Sequence, residues 1–331
     1  MAKAKKSSSK RSRSAKKTIP AVRTLRYNVL NSSTANTETS HYIDLARDLS
    51  AVNRRLMRQG RHYYVKRITV VSANTPNIGD VTNPTTGAVV NQAGRISVST
   101  IPTSWVSQMA WRRGKSTWTK MQAEAQAMAA GDVRATWNDF KVSMTNDFAS
   151  ATKLLPLDNG NNAVDIGEWI YSRLVSPDGT TGEDTFNLHM LGDHIGSVGA
   201  WGSVGLIKSY GESRATVNAG DPNVPGDVSE DPLVNVFDYG TTIDEVLNDM
   251  EAHNDLPPYE ISNYPGDDVN MPKPIVAQHA TLSDGKATLG SFVAMCGMLE
   301  IESKSPVQND TYDILIELAI GDYRGIKADV I

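Results

Sequence analysis

Along most of this chain hydrophobic positions alternate with polar ones, and only three stretches keep a helical period. His62 to Ser72 (His-Tyr-Tyr-Val-Lys-Arg-Ile-Thr-Val-Val-Ser) is rich in aromatic and β-branched residues and lacks Gly and Pro, which predicts a strand. Arg95 to Ile101 alternates likewise, with Ile96 and Val98 on one side. Further strands are predicted over Trp137–Met144, Glu168–Val175, Thr185–Leu191, Ser203–Tyr210, Pro274–Leu282, Ser291–Glu302 and Thr311–Ile320. Residues 27–43 are Ser/Thr/Asn-rich and read as extended.

The first helical stretch runs from Leu45 to about Gln59, with Asp44 as its cap and Gly60 as its end. Leu45, Leu49, Val52 and Leu56 share one face, while Arg47, Arg54, Arg55 and Arg58 take the others. That arrangement suits an ordinary amphipathic helix and equally a basic floor continuous with what precedes it. From Ser104, a plausible cap, to about Ala130, Trp111, Gly114, Trp118, Met121, Ala125 and Met128 line one face, as in a lid laid on a sheet. A short third helix is expected from Thr242 to Ala252. Long loops separate these elements at 74–93, 211–241 and 253–273. Short strands joined by long loops predict an all-β antiparallel sandwich rather than an alternating α/β fold.

Charge changes this picture most. Residues 1–26 hold Lys3, Lys5, Lys6, Lys10, Arg11, Arg13, Lys16, Lys17, Arg23 and Arg26, and no acid. With so little apolar surface to bury, such a segment cannot offset its ordering entropy, so residues 1–40 are expected to form a disordered basic arm and 41–331 a single domain. Residues 151–331 instead carry 9 Lys/Arg against 29 Asp/Glu. Within them residues 211–273 hold 14 acids and only two bases, Arg214 and Lys273. Flexible Lys and Arg bind phosphates without reading bases, so the arm is expected to contact nucleic acid, with Arg54, Arg55 and Arg58 extending its surface. The acidic loops would repel that partner and belong on the opposite face or at lateral contacts, where close carboxylates would recruit Ca²⁺.

Signs of catalysis are few. His189 and His194, with Asp193 between them, do not have the spacing of a standard metal site. Gly192, Gly196, Gly199, Gly202 and Gly205 lack a following Gly-Lys-Ser/Thr, and Gly205 reads as opening more strand rather than a helix. No Gly-x-Ser-x-Gly, His-Glu-x-x-His or dinucleotide fingerprint occurs, so an enzyme, a catalytic site and, apart from Ca²⁺ at subunit contacts, a bound metal or other cofactor are not expected. The one cysteine, Cys296, lies in an apolar run and reads as a buried thiol. No run reaches the roughly 18 apolar residues of a membrane span.

The basic arm followed by about eight strands, with a helix between the second and third, resembles the coat proteins of small icosahedral, circular single-stranded DNA viruses of the Rep-encoding kind. Val52-Asn-Arg-Arg-Leu-Met-Arg-Gln-Gly60, Trp105-Val-Ser-Gln-Met-Ala-Trp-Arg-Arg-Gly114 and Asp249-Met-Glu-Ala-His-Asn-Asp-Leu-Pro-Pro-Tyr259 are similar to environmental capsid sequences. The resemblance implies an eight-stranded jelly roll in two sheets of four. Its strands B to I would lie at 62–73, 94–101, 137–145, 167–175, 185–192, 203–210, 289–303 and 310–321. It also implies a homo-oligomeric shell, an arm touching the packaged single-stranded DNA genome, a host receptor as external partner, and a place in the virion after a passage through the host nucleus. The 274–282 segment and the acidity after residue 150 depart from the pattern. Two other classes stay open: a non-viral DNA-binding protein with a basic tail, and a lectin-like sandwich using tryptophans such as Trp105, Trp169 and Trp201.

Overall fold

The computed structural model describes residues 19–73, 81–82, 89–90, 93–128, 139–167, 169–175, 185–197, 200–213, 259, 274–282 and 284–331. The chain opens with β1 (Thr24–Leu30), β2 (Glu38–Asp44), α1 (Leu45–Asn53), β3 (Arg61–Ser72), the short pair β4 (Val81–Thr82) and β5 (Val89–Val90), and β6 (Gly94–Thr100). Next come α2 (Trp105–Met128), α3 (Asn146–Ser150), β7 (Arg173–Val175), β8 (Thr185–His189), β9 (Ile195–Ser197), β10 (Ala200–Gly205) and α4 (Leu206–Glu212). The last part holds β11 (Ile275–Leu282), β12 (Lys286–Leu289), β13 (Phe292–Met295), β14 (Met298–Lys304), β15 (Thr311–Leu318), β16 (Ile320–Gly321), β17 (Gly325–Ile326) and β18 (Ala328–Val330).

These strands form an all-β sandwich of the jelly-roll kind. In one sheet the order is β1-β15-β3-β12, with β13 and β18 also on β3; in the other it is β11-β6-β14-β2. The segments lettered B and I pair as β3–β15, and those lettered C and H as β6–β14. Alternation drives the assembly. Tyr63, Val65, Ile68 and Val70 of β3 meet Ile314, Ile316 and Leu318 of β15, and Ile96, Val98, Leu299 and Ile301 come from the other sheet into the same core. Each such side chain contributes about 1.5–3 kcal/mol when fully buried.

Other positions differ from the expected strands. The two sheets are completed by β1, β2, β11 and β12 rather than by the 137–210 segments, which form a separate small sheet, β7-β8-β10-β9. Of the residues 1–40 expected as an arm, 24–30 and 38–40 therefore belong to the sandwich instead. Residues 24–30 pair with β15, and Leu25, Tyr27 and Val29 are buried, because a period-two apolar pattern sits among the basic and polar residues. Residues 139–144 form no named strand and meet β8 only through an isolated parallel bridge between Ser143 and His189. On one side the Gln59 amide takes a neighbouring strand's part, its Nε2 donating to Val142 O at 2.8 Å and its Oε1 accepting from Val142 N at 2.6 Å. The segment read as a strand over 203–210 becomes helix after Gly205, since Leu206, Ile207 and Tyr210 bury one helical face.

The segment read as one strand over 289–303 is two. Cys296 (φ 59°) and Gly297 (φ 72°) turn the chain so that β13 stays on β3 while β14 enters the opposite sheet. A Cβ at residue 297 would lie 3.0 Å from the Tyr63 ring and 3.2 Å from Ala46 N, so only glycine fits easily. Cys296 is buried, and burial pushes its thiol pKa well up, which makes it an inert core thiol.

Helix α1 begins as expected, with Asp44 Oδ1 accepting from Arg47 N at 3.1 Å. It stops at Asn53 rather than near Gly60. Ser50 Oγ captures Met57 N at 2.7 Å, so Met57 enters the core and Leu56 is left exposed. Arg47, expected on an outer face, is buried instead. Its Nε donates to Asp48 Oδ1 at 2.7 Å, and a second nitrogen reaches Leu154 O. Tyr27 OH donates to Asp48 Oδ2 at 2.7 Å, and Tyr171 OH and Gln59 Nε2 donate to Asp44 Oδ2 at 2.9 and 3.3 Å.

Helix α2 matches its expected span, and Ser104 Oγ accepts from Ser107 N at 3.3 Å. Trp111 and Trp118 are buried against Phe140 with ring centroids 5.8 Å apart in each pair. A Cβ on Gly114 would sit 3.0–3.1 Å from the Leu206 methyls, so the glycine lets α4 approach α2. Ala125 lies outside the buried face. The helix expected at 242–252 and nearly all of the 211–273 loops lie outside the described residues.

Trp118→Ala should cost about 3–5 kcal/mol in denaturant unfolding, the range for a large aromatic deleted from a core. A second prediction concerns pH. Burial outweighs the Arg47 and Tyr27 interactions and lifts the Asp48 carboxyl to about 7. A raised folded pKa gives stability that is present below the unfolded value and lost as pH rises through the folded one. Between about pH 4 and 8, unfolding midpoints should therefore show the wild type losing stability relative to Asp48→Asn.

Candidate nucleic-acid interface

Eight of the expected nucleic-acid contacts, Lys3, Lys5, Lys6, Lys10, Arg11, Arg13, Lys16 and Lys17, lie outside the described residues. The described chain starts where that segment meets the body. Val22 N donates to Asn53 Oδ1 at 2.8 Å, and Asn53 Nδ2 donates back to Val22 O at 3.0 Å. On the other flank Gly325 (φ 93°) lies under Ile19, where a Cβ would come within 2.3 Å of Ile19 O. The root of the basic segment is thus held between the end of α1 and the β16–β17 hairpin.

Those two loops also touch each other. Arg58 N donates to Tyr323 OH at 2.9 Å, and Arg324 Nη1 donates to Leu56 O. The Arg61 guanidinium stands 3.5 Å over the Tyr323 ring while its Nη1 donates to Ala328 O at 2.9 Å. Lys327 Nζ lies 4.2 Å from the Tyr64 ring. Arg54, Arg55 and Arg58 are exposed, and among the described residues no carboxylate pairs with them. Expected as extensions of the arm's surface, they do lie beside its root.

Two expected contacts fall differently. Arg23 only donates to Ala21 O at 3.4 Å and stays near the root. Arg26 belongs to β1, pairs with Asp313 at 3.3 Å and reaches Asn161 Oδ1 at 2.5 Å. Its charge is used to dock the strand and the 158–162 turn. Arg61, Tyr323, Arg324 and Lys327 were not singled out from the sequence. Their signal is the basic-aromatic turn Tyr323-Arg-Gly-Ile-Lys327, submerged in the acidic average of the chain after residue 150.

The most reactive-looking pair elsewhere is His189 and Ser203. Ser203 Oγ lies 2.6 Å from His189 Nδ1, and His189 Nε2 lies 2.8 Å from Asp193 O. The carbonyl can only accept, so Nε2 carries the proton and Ser203 donates to Nδ1. Both side chains are buried, and burial lowers the histidine pKa to about 4. His194 Nδ1 turns elsewhere and accepts from Gly205 N at 3.1 Å. Gly205 does open a helix, against expectation, but its role is steric: a Cβ there would lie 2.2 Å from Gly192 O. Among the described residues no three His, Cys, Asp or Glu side chains group as metal ligands.

Asn53→Ala removes both bonds to Val22 together with a donor to Leu49 O. Trypsin should then cut after Arg23 faster than in the wild type, with a stability loss of roughly 1–2 kcal/mol. An unchanged cleavage rate would mean that the root is held by its other contacts.

Comparison with family models, with curated proteins and with solved structures found no match for the chain.

Proposed function

We propose that this chain is a structural coat protein, whose copies assemble into a closed icosahedral shell around a single-stranded DNA genome held by the basic N-terminal segment. The observation that carries the reading is the union of sequence and geometry at one place. A segment with ten Lys/Arg and no acid joins the body beside three exposed arginines that pair with no carboxylate among the described residues. Polyanion affinity concentrated at one end of an otherwise acidic body suits a container, which must hold its cargo on one face and meet other surfaces on the rest. The jelly-roll sandwich supports the same reading. So does β11, an edge strand with Ile275 and Val276 half exposed, which offers backbone and apolar surface to a neighbouring copy.

The virion is the protein's place in this reading, and assembly in the host nucleus follows from the basic cluster Lys10–Lys17. Ca²⁺ at lateral contacts belongs to the same reading, through the acids of 211–273.

The test separates packaging from folding. Full-length protein should sediment as shells of uniform size that carry nuclease-protected DNA. A version lacking residues 2–18 keeps β1 and should form the same folded body, but it should package little or no DNA. Single-stranded DNA binding by the full chain should weaken steeply with salt, with a log–log slope of about −0.7 per phosphate contact. A monomer that binds DNA without assembling would favour the tailed DNA-binding protein. Undiminished packaging after truncation would remove the role of the segment.

A further inference from the structure

Cations along the N-terminal segment suffice for loose, sequence-blind attraction, but the folded body has cations of another kind. Arg54 follows α1 with φ 49°, and Arg324 sits in the β16–β17 turn with φ 53°. For a residue with a side chain this left-handed backbone costs roughly 1–2 kcal/mol relative to right-handed conformations, and glycine or asparagine is the usual occupant. Arg54 closes the helix with its own N–H on Ala51 O and Ser50 O, a task glycine performs without strain. Two arginines therefore occupy unfavourable backbone positions on two loops that touch, and the side chain of Arg54 makes no hydrogen bond or ion pair among the described residues.

The rest of the surface is arranged around them. Arg55 and Arg58 are exposed on the first loop, and no carboxylate among the described residues answers Arg54, Arg55, Arg58, Arg61 or Arg324. Arg61 and Arg324 are held in place by backbone carbonyls, from Ala328 and Leu56, so both guanidiniums are positioned before any ligand arrives. Arg61 also covers one face of Tyr323, which closes that face to a stacked base. What remains available is positive charge and N–H donors, those of Arg61 and Arg324 in fixed positions, the chemistry of phosphate recognition.

We infer that Arg54, Arg55, Arg58, Arg61 and Arg324, on the two loops that touch at Tyr323, form a phosphate-binding platform that grips the backbone of single-stranded nucleic acid independently of the N-terminal segment. This rests on the nucleic-acid reading proposed above and adds a second site to it, on the folded body. The platform contacts phosphodiesters and reads no sequence. The basic N-terminal segment captures the strand, and the platform fixes where it leaves the root.

The experiment uses unassembled full-length chain, an oligo(dT) probe and an oligo(dA) probe. Binding is measured by anisotropy over a salt series, and thermal unfolding is followed in parallel. Arg54→Gly should leave Tm unchanged or raise it while weakening oligo(dT) binding. A fall in Tm overturns the claim that arginine is held there against the backbone's preference. The variant combining Arg54→Gly, Arg55→Ser and Arg58→Ser should lower the magnitude of the log–log salt slope by about 2, at about 0.7 per lost contact, equally for both probes. If the wild type binds and this variant keeps its affinity and slope, the platform is wrong and the segment alone does the work. A marked preference for one probe in the wild type that the variant loses would overturn the phosphate-only assignment. If the wild-type chain binds neither probe, the nucleic-acid reading itself fails.

Discussion

Two carboxylates and one guanidinium, all buried at the start of α1, set the geometry on which the rest of the molecule depends. Asp44 and Asp48 lie one turn apart, and Arg47 stands between them. Taking these charges out of water is costly, and the cost is offset only because the remaining lone pairs and protons find partners. The partners come from far apart in the chain: Tyr27 from β1, Gln59 from the turn after α1, Leu154 and Tyr171 from the 139–172 segment. An apolar plug could fill the same space with less penalty, but it would not specify which segments meet there. The network holds α1 in one orientation, and the orientation of α1 places Asn53 under the chain's entry and Arg54 beside it.

Much of the sandwich was legible because its strands obey a simple period. His62–Ser72 and Thr311–Ile320 alternate without a glycine or proline, and they are central neighbours in the sheet. Where the alternation was short or shared with charge, it was missed. The pattern Leu25, Tyr27, Val29 is a strand's, yet Arg23 and Arg26 beside it gave the stretch the look of the arm. The break at Cys296–Gly297 was hidden inside an apolar run, since both halves bury their side chains on either side of the corner. Residues 139–144 were read as a strand for a sound reason, the inward alternation of Phe140, Val142 and Met144. Composition could not reveal that a glutamine side chain would replace the neighbouring strand on one side.

The candidate interface was legible only as charge. Counting Lys and Arg identified the basic segment and picked out Arg54, Arg55 and Arg58, but it placed Arg26 with them although that residue pairs with Asp313 in the folded sheet. Net charge over long windows also hid the turn at Tyr323–Lys327, whose two cations and aromatic ring come from the acidic half of the chain. Sites assembled from two loops need contact information, and a hydrogen bond such as Arg58 N to Tyr323 OH leaves no trace in spacing or periodicity. The sheet topology supplies it, because β18 returns to the start of β3 and carries the preceding turn to the end of α1.

The pairing of β1 has a consequence for the order of events during synthesis. Thr24 meets Glu317 and Leu30 meets Thr311, so the first strand of the sandwich cannot dock until one of the last has been made. β3 waits for the same partner along most of its length. Contacts this distant along the chain form slowly, since a large loop must close before any pairing energy is gained. A nascent chain therefore leaves the ribosome with its body unable to close. Until β15 is made, β1 and most of β3 have no partner strand, so completion of the sheet is tied to the last part of the chain to be synthesised.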